Sequence, residues 1–473
     1  MGNKRTSLLE VRCTRDAVPL QRCRAAKMAT TSPVIARDAT PRLRIRLYLW
    51  AQKQNAESES RNPDLECPHE LSQDGPVGQD PSSGGRGGMK AVLRPRRLFA
   101  LALVVVVLVL VVSGWSWIDA QARAVVVVSA VLETPVLTPA VGAVTEEPLV
   151  EDTVFAGRPA LVAKPKGEEP WPALLFVNGT IREGRNYPPV QNLARELARA
   201  GYLVVVPDLP GLTTDEITEE TVSSTVETAR AVADRPDAEG GRVGLIGVST
   251  GATLSLLAAK GPDIGERISV VAGVAPYTDI RTVLNIATTG HYWDGEEYVP
   301  YEADPFLSYV IARSMLATLP PGEDRDALRA ELEEVDRLDP DPLAGLRARS
   351  TSDLSLEARS VVELLANEDP EYFDGLYEAL PSEIRESMDR LSPLAGDGRI
   401  TAPVELASGS RDKYFPVSES FAVGRIAADY RVTVTEAIHH SEVSFSDIPD
   451  FALLDGFVVR SLREARRTDT LKE

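Results

Sequence analysis

The stretch Gly247-Val248-Ser249-Thr250-Gly251 constrains this chain more than any other, because of what flanks it. Arg242-Val243-Gly244-Leu245-Ile246 before it is short and apolar, as a buried strand is, and Ala252 to Lys260 after it reads as a helix. A Gly-x-Ser-x-Gly between a strand and a helix makes a sharp turn that pushes the serine hydroxyl out above the sheet. Glycine is needed at both flanks, because a Cβ there would collide with the neighbouring strand and helix. The pentapeptide gains its weight from the strand and helix around it.

A serine hydroxyl is a poor nucleophile at neutral pH and needs a base, usually histidine. The chain has four histidines: His69, His291, His439 and His440. His69 precedes a hydrophobic span and is expected on the other side of a membrane. The adjacent pair follows Tyr430 to Ile438, whose first half alternates apolar and polar residues like a strand. Asp412 lies 28 residues before His440, in a loop after the apolar stretch Ala402 to Ala407. The order is therefore Ser, Asp, His, each just after a predicted strand; chymotrypsin-type and subtilisin-type enzymes have other orders. Asp279 is a rival acid, since it follows the predicted strand Ile268 to Ala275. Neighbouring side chains of an extended segment point to opposite sides, so only one of His439 and His440 should reach Ser249. The same geometry argues against the pair chelating a metal.

With these residues in place, the chain resembles the α/β-hydrolase family over roughly Val150 to Leu462, apart from a long insertion. Ala173 to Thr180 looks like the family's third strand and oxyanion loop, with Asn178 where histidine is common. Gly201 to Gly211 looks like the next strand with its Asp-x-x-Gly turn, and Gly409-x-x-Asp412-x-x-x-Pro416 is similar to the acid loop. The opening segment, Thr153 to Ala173, looks most like the dienelactone-hydrolase and acyl-peptidase side of the superfamily. Dienelactone hydrolase uses cysteine, whereas this chain has Ser249, so the resemblance is to the fold and not to that substrate. It implies an α/β fold with a mostly parallel sheet covered by helices on both faces.

The resemblance also implies roles. Ser249 is the nucleophile and Asp412 the acid that orients the base. His440 is the first choice of base and His439 the second, because relatives often place an apolar residue two positions before the histidine. The backbone N–H groups of Thr250 and Thr180 form the oxyanion hole. The implied activity is cleavage of a carboxylic ester or related acyl bond in a small molecule, with no metal and no organic cofactor. A non-catalytic relative that binds a ligand or partner, and an acyltransferase with the same three residues, are the alternatives.

Composition bounds the partners and the layout. Net charge is −19, and an acidic surface argues against nucleic acid, which needs a basic patch. Cys13, Cys23 and Cys67 all precede the hydrophobic span, and their spacing does not match a zinc site. Residues 1–88 read as a disordered extension, rich first in Arg and then in Ser, Gly, Pro and acidic residues; a translation start placed too early is the alternative reading. Lys90, Arg94, Arg96 and Arg97 then precede an uncharged apolar run, Leu98 to Ile118, long enough to cross a bilayer. Residues 89–122 are thus expected to be a signal anchor, with the catalytic part, 123–473, outside the cytoplasm. A signal peptide cut after Ala120-Gln121-Ala122, releasing a secreted protein, is the competing reading.

Strand and helix alternate from about Thr153, with helices expected over Pro189 to Ala200 and Thr218 to Asp234. Alternation stops over residues 281–391, where the pattern is helical and acidic, and resumes at Thr401. These helices are expected to cap the site, since they leave from the end of a strand where open α/β sheets bind ligands. His291, Tyr292 and Trp293, early in the insertion, either line an acyl pocket or pack the cap onto the core.

Overall fold

The computed structural model describes residues 10–13, 117–129, 142, 145–440, 442–443 and 448–467. Of the expected membrane span, Leu98 to Ile118, only Trp117 and Ile118 fall among them. Among the described residues no helix is long and apolar enough to cross a membrane.

Along the chain, β1 (Glu10–Cys13) and α1 (117–129) precede β2 (Leu149–Phe155), β3 (Arg158–Lys164) and β4 (Trp171–Val177). Then come α2 (Pro188–Arg199), β5 (Leu203–Pro207), α3 (Glu219–Ala233), β6 (Ala238–Val248), α4 (Thr250–Lys260) and β7 (Ile268–Val274). The chain next leaves the sheet through α5 (Ile280–Thr289), a hairpin of β8 (His291–Trp293) and β9 (Tyr298–Pro300), and α6 (Pro305–Ala317). It continues through α7 (Glu323–Glu333), α8 (Ala344–Ala348), α9 (Leu356–Leu365), α10 (Pro370–Glu378) and α11 (Ser382–Asp389). It returns with β10 (Val404–Gly409), α12 (Val417–Ala422), β11 (Tyr430–Thr435), the small pair β12 (Ile438–His439) and β13 (Glu442–Val443), and α13 (Ile448–Ala465).

One sheet holds the strands in the order β1-β11-β10-β7-β6-β4-β5-β3-β2. The run from β11 to β5 is parallel, while β3 and β2 at one edge and β1 at the other are antiparallel. Every residue of β4 and β5 is buried, as parallel strands covered on both faces must be. Alternate residues point to opposite layers. Leu174 and Phe176 of β4 pack against α1, α2 and α13, while Ala173, Leu175 and Val177 join the cluster containing α3 and α4.

Helix α1 is part of this domain. Ala120, Ala124 and Val127, spaced to lie on one helical face, are buried with Val190, Leu197 and Leu462. Gln121 donates to Asp455 at 2.7 Å, and Arg123 donates to the carbonyl of Ala200. The helix runs across the boundary expected between residues 122 and 123, so the domain begins before Arg123. A cut after Ala122 would sever a docked helix.

The insertion packs onto one layer. Leu307, Tyr309 and Leu316 of α6, Leu328 and Leu332 of α7, and Val361 and Leu365 of α9 belong to the same buried cluster as the β4–β6 face. The cap is thus continuous with the core.

Ser249 sits between β6 and α4 with φ 56° and ψ −128°, a backbone conformation that is sterically costly for a non-glycine residue. Its neighbours make the turn possible. A Cβ on Gly247 would lie 2.5 Å from the backbone nitrogen of Ala252. One on Gly251 would lie 2.7 Å from the Asn178 carbonyl carbon, and closer still to the carbonyl oxygens of Val177 and Asn178. These atoms are backbone and cannot swing away. Gly251→Ala is therefore expected to lower the unfolding free energy by about 3 kcal/mol. The check is a urea titration, in which the midpoint falls while the slope stays constant.

Candidate active site

The parallel strands end at one edge of the sheet, and the residues singled out above lie just beyond those ends. Ser249 follows β6, and its N–H donates to Val274 at the end of β7 at 2.7 Å. Asp412 follows β10, and His440 follows β12. Ser249 is half-buried.

The loop after β4 abuts the serine. A Cβ on Gly179 would stand 3.3 Å from Ser249 Cβ, so only glycine lets the loop approach this closely. The Thr180 hydroxyl lies 3.4 Å from that of Thr250. Thr250 is the first residue of α4, where N–H groups have no intrahelical acceptor and the helix dipole favours negative charge. Asn178 is buried, and its Nδ2 has no hydrogen-bond partner among the described residues.

The loop after β5 holds that segment from the other side. Asp208 accepts from the Arg185 N–H at 2.8 Å and pairs with the Arg185 guanidinium. Asp215, fully buried, accepts from Arg182 at 3.0 Å.

Asp412 is held by several donors. Its Oδ1 accepts from the backbone N–H groups of Tyr414 at 2.7 Å and Phe415 at 2.9 Å. His440 Nδ1 lies 2.9 Å from Oδ2 and 3.1 Å from Oδ1, so the ring N–H donates to the carboxylate. The side chains of Asp412 and His440 are only 2% and 10% exposed, which strengthens the interaction. The Tyr414 ring lies 4.2 Å from the His440 ring and Phe415 lies 5.7 Å away, boxing the imidazole. His440 has φ 58°, a strained value at the point where the chain turns out of β12.

The other candidates are placed differently. His439 pairs through its backbone with Glu442, and its side chain lies outside the described residues. Asp279 caps α5, accepting from the Arg281 N–H at 3.0 Å. His291 Nδ1 lies 2.7 Å from the Thr289 carbonyl, and Trp293 is exposed beside Tyr298. Tyr292 is buried edge-on to Tyr301, whose hydroxyl donates to the Asp412 carbonyl at 2.6 Å. Of the three insertion residues, Tyr292 thus reaches the acid loop through one intermediary. Among the described residues, no group of three or more His, Cys, Asp or Glu side chains could hold a metal ion.

The sequence profile described as "Alpha/beta hydrolase family" matches residues 174–436, more than half of the chain. The chain belongs to the α/β-hydrolase family. No curated protein matches its sequence. Among solved structures it is similar to an acylaminoacyl peptidase of Pyrococcus horikoshii, at 11% identity and a TM-score of 0.38 over 71% of this chain. The match covers 45% of that peptidase. It is also similar to a proline iminopeptidase of Mycobacterium smegmatis, at 17% identity and TM-score 0.34, covering 67% of this chain and 98% of the other. A dienelactone hydrolase of Anabaena variabilis aligns at 14% identity and TM-score 0.33, over 67% of this chain and 97% of its own.

This α/β-hydrolase has site residues that local patterns do not announce. Tyr301 and Tyr414 reach the Asp412–His440 pair from the cap hairpin and the acid loop. Glu419 of α12 is buried and accepts from the N–H groups of Thr278 at 2.7 Å and Asp279 at 2.8 Å, and from the Thr278 hydroxyl at 3.0 Å. It ties the start of the cap to the acid loop. Nothing in its sequence neighbourhood marks it, because its partners lie about 140 residues away.

Burial pushes the Glu419 carboxyl above its ordinary range, against the pull of those donors. The folded chain therefore holds this proton in a pH window where the unfolded chain, titrating near 4.3, has lost it. The resulting stability is fully present below the unfolded value and is lost as pH rises through the folded one. Glu419→Gln stays neutral throughout. The variant is expected to gain on the wild type in urea midpoint between pH 4 and pH 8; a gap that does not change with pH would show that burial of this charge is not felt.

Proposed function

We propose that this α/β-hydrolase is a serine hydrolase that cleaves a carboxylic ester through an acyl-enzyme. The observation that carries this reading is the buried His440–Asp412 contact at 2.9 Å, on the same sheet edge as a serine held at φ 56°. With Nδ1 committed to Asp412, the other ring nitrogen, Nε2, is left to exchange a proton with Ser249.

Ser249 Oγ attacks the carbonyl carbon and passes its proton to His440. The carbonyl oxygen becomes an oxyanion, which the N–H groups of Thr250 and Thr180 stabilise; donors of this kind are worth about 3 kcal/mol each. The tetrahedral centre collapses, the bond to the leaving oxygen breaks, and His440 gives that oxygen its proton. Water then attacks the acyl-enzyme while His440 takes one of its protons. Collapse releases the carboxylic acid, and the proton returns to Ser249 Oγ. Asp412 stays ionised and stabilises the imidazolium formed in each half-reaction.

The reading includes a location. The basic residues Lys90 to Arg97 before the apolar run Leu98 to Ile118 favour a span with the catalytic domain outside the cytoplasm. Helix α1, whose described part begins at Trp117 within that run, would fasten the domain beside the span.

A fluorophosphonate probe applied to the full chain in detergent is expected to add one adduct by intact mass, absent in Ser249→Ala. Asp412→Asn should lower kcat on an activated ester by about 10³–10⁴-fold. An adduct that persists in Ser249→Ala would remove the serine from the mechanism, and a loss below about tenfold in Asp412→Asn would remove the acid.

A further inference from the structure

A chain of contacts runs from Ser249 through the insertion to His440. From the serine it passes to Gly179 and along the loop to Arg182, whose guanidinium donates to Asp215 at 3.0 Å. Asp215 also accepts from Arg337, in the cap between α7 and α8, at 3.3 Å. Arg337 lies flat over Phe306, 4.4 Å from its ring centre. Phe306 lies two residues after Asp304, which caps α6 and donates its own N–H to the Lys413 carbonyl, next to Tyr414, at 2.8 Å. The Tyr414 ring lies tilted against His440, 4.2 Å between ring centres.

At Asp215 itself the charges are unequal. Two guanidiniums share its single carboxylate, which leaves one positive charge in excess there. At the next residue they balance: Glu216 accepts from Arg329 at 2.7 Å and faces Arg313 at 3.9 Å, and Glu333 faces Arg313 at 3.9 Å. The excess at Asp215 stands out in a chain of net charge −19. Arg182 is 52% exposed although its partner is fully buried, so Asp215 orients the fork while part of it faces solvent. Arg337 Nε is buried and has no hydrogen-bond partner among the described residues. An arginine fork held in this way matches a carboxylate in geometry as well as charge.

We propose that Arg182 and Arg337 bind a carboxylate on the acyl part of the substrate, so that the preferred esters are half-esters of dicarboxylic acids. The inference rests on the hydrolase reading above and deepens it. A single excess positive charge suits a monoanion better than a doubly charged phosphate. The leaving oxygen must lie toward His440, which protonates it, whereas Arg182 stands on the oxyanion-loop side. The carboxylate therefore belongs to the acyl group. Desolvating Arg337 without such a partner is costly, and the substrate carboxylate supplies one.

The test compares kcat/KM for mono-p-nitrophenyl glutarate with that for p-nitrophenyl valerate, which has the same number of acyl carbons and no second charge. The wild type should favour the glutarate ester by about tenfold or more, the range of a charge-assisted bond. Arg182→Gln and Arg337→Gln should each reduce that ratio by about tenfold. Free glutarate should also slow fluorophosphonate labelling of Ser249 in the wild type, and less so in either variant. A wild-type ratio near one with no protection by glutarate overturns the proposal, and so does a loss in the variants that leaves the ratio unchanged. Failure of the hydrolase reading looks different: neither ester is turned over and Ser249 takes no fluorophosphonate. If Ser249 is labelled but neither ester reacts, protection by glutarate alone decides.

Discussion

The close approach of three backbones around Ser249 is the constraint on which the rest of the structure depends. Gly247 and Gly251 remove the side chains that would hold β6, α4 and the end of β4 apart. Their absence lets α4 begin immediately after β6, with its first N–H groups facing the space above the serine. It also lets the loop after β4 come within van der Waals distance of Ser249 through Gly179. A wider turn would part the loop carrying Thr180 from the start of α4, where the Thr180 and Thr250 hydroxyls now lie 3.4 Å apart. The strained conformation of Ser249 persists because β4, β7 and α4 over-determine it.

Asp412 and His440 are held by a different device. Asp412 gathers two backbone N–H groups and one imidazole in a buried setting, so its position follows from hydrogen bonds. The cap is built into the same network. Tyr301 reaches the Asp412 carbonyl, Asp304 holds Lys413, and Glu419 fastens the loop that leads into α5. Together with the shared apolar cluster, these contacts fix the insertion against the loop that carries Asp412.

Electrostatics adds a second layer. The chain is acidic, yet arginines converge where the oxyanion loop meets the cap. Asp215 and Glu216 each draw two guanidiniums, from segments more than 100 residues apart in the case of Arg337 and Arg329. Buried carboxylates of this kind orient arginines more firmly than surface pairs do, because solvent screening is weak there.

Much of the architecture was legible before any coordinate. The apolar runs at β4, β5, β6 and β7, the helical spacing around Leu328 and Val361, and the glycine-flanked serine are local patterns. Each is legible because a strand, a helix or a tight turn is decided by residues within one or two turns of each other. The choice between His439 and His440, or between Asp412 and Asp279, has no such local signature. The contact between Asp412 and His440 exists only because β10 and β11 are neighbours, which turns a separation of 28 residues into 2.9 Å. The docking of α1 onto α2 and α13, the buried Glu419 and the arginines around Asp215 belong to the same class. The sequence by itself determined the succession of elements and the chemistry available at their ends. Which of those groups meet was decided by the tertiary structure, because long-range packing and burial, unlike periodicity, are properties of the folded chain alone.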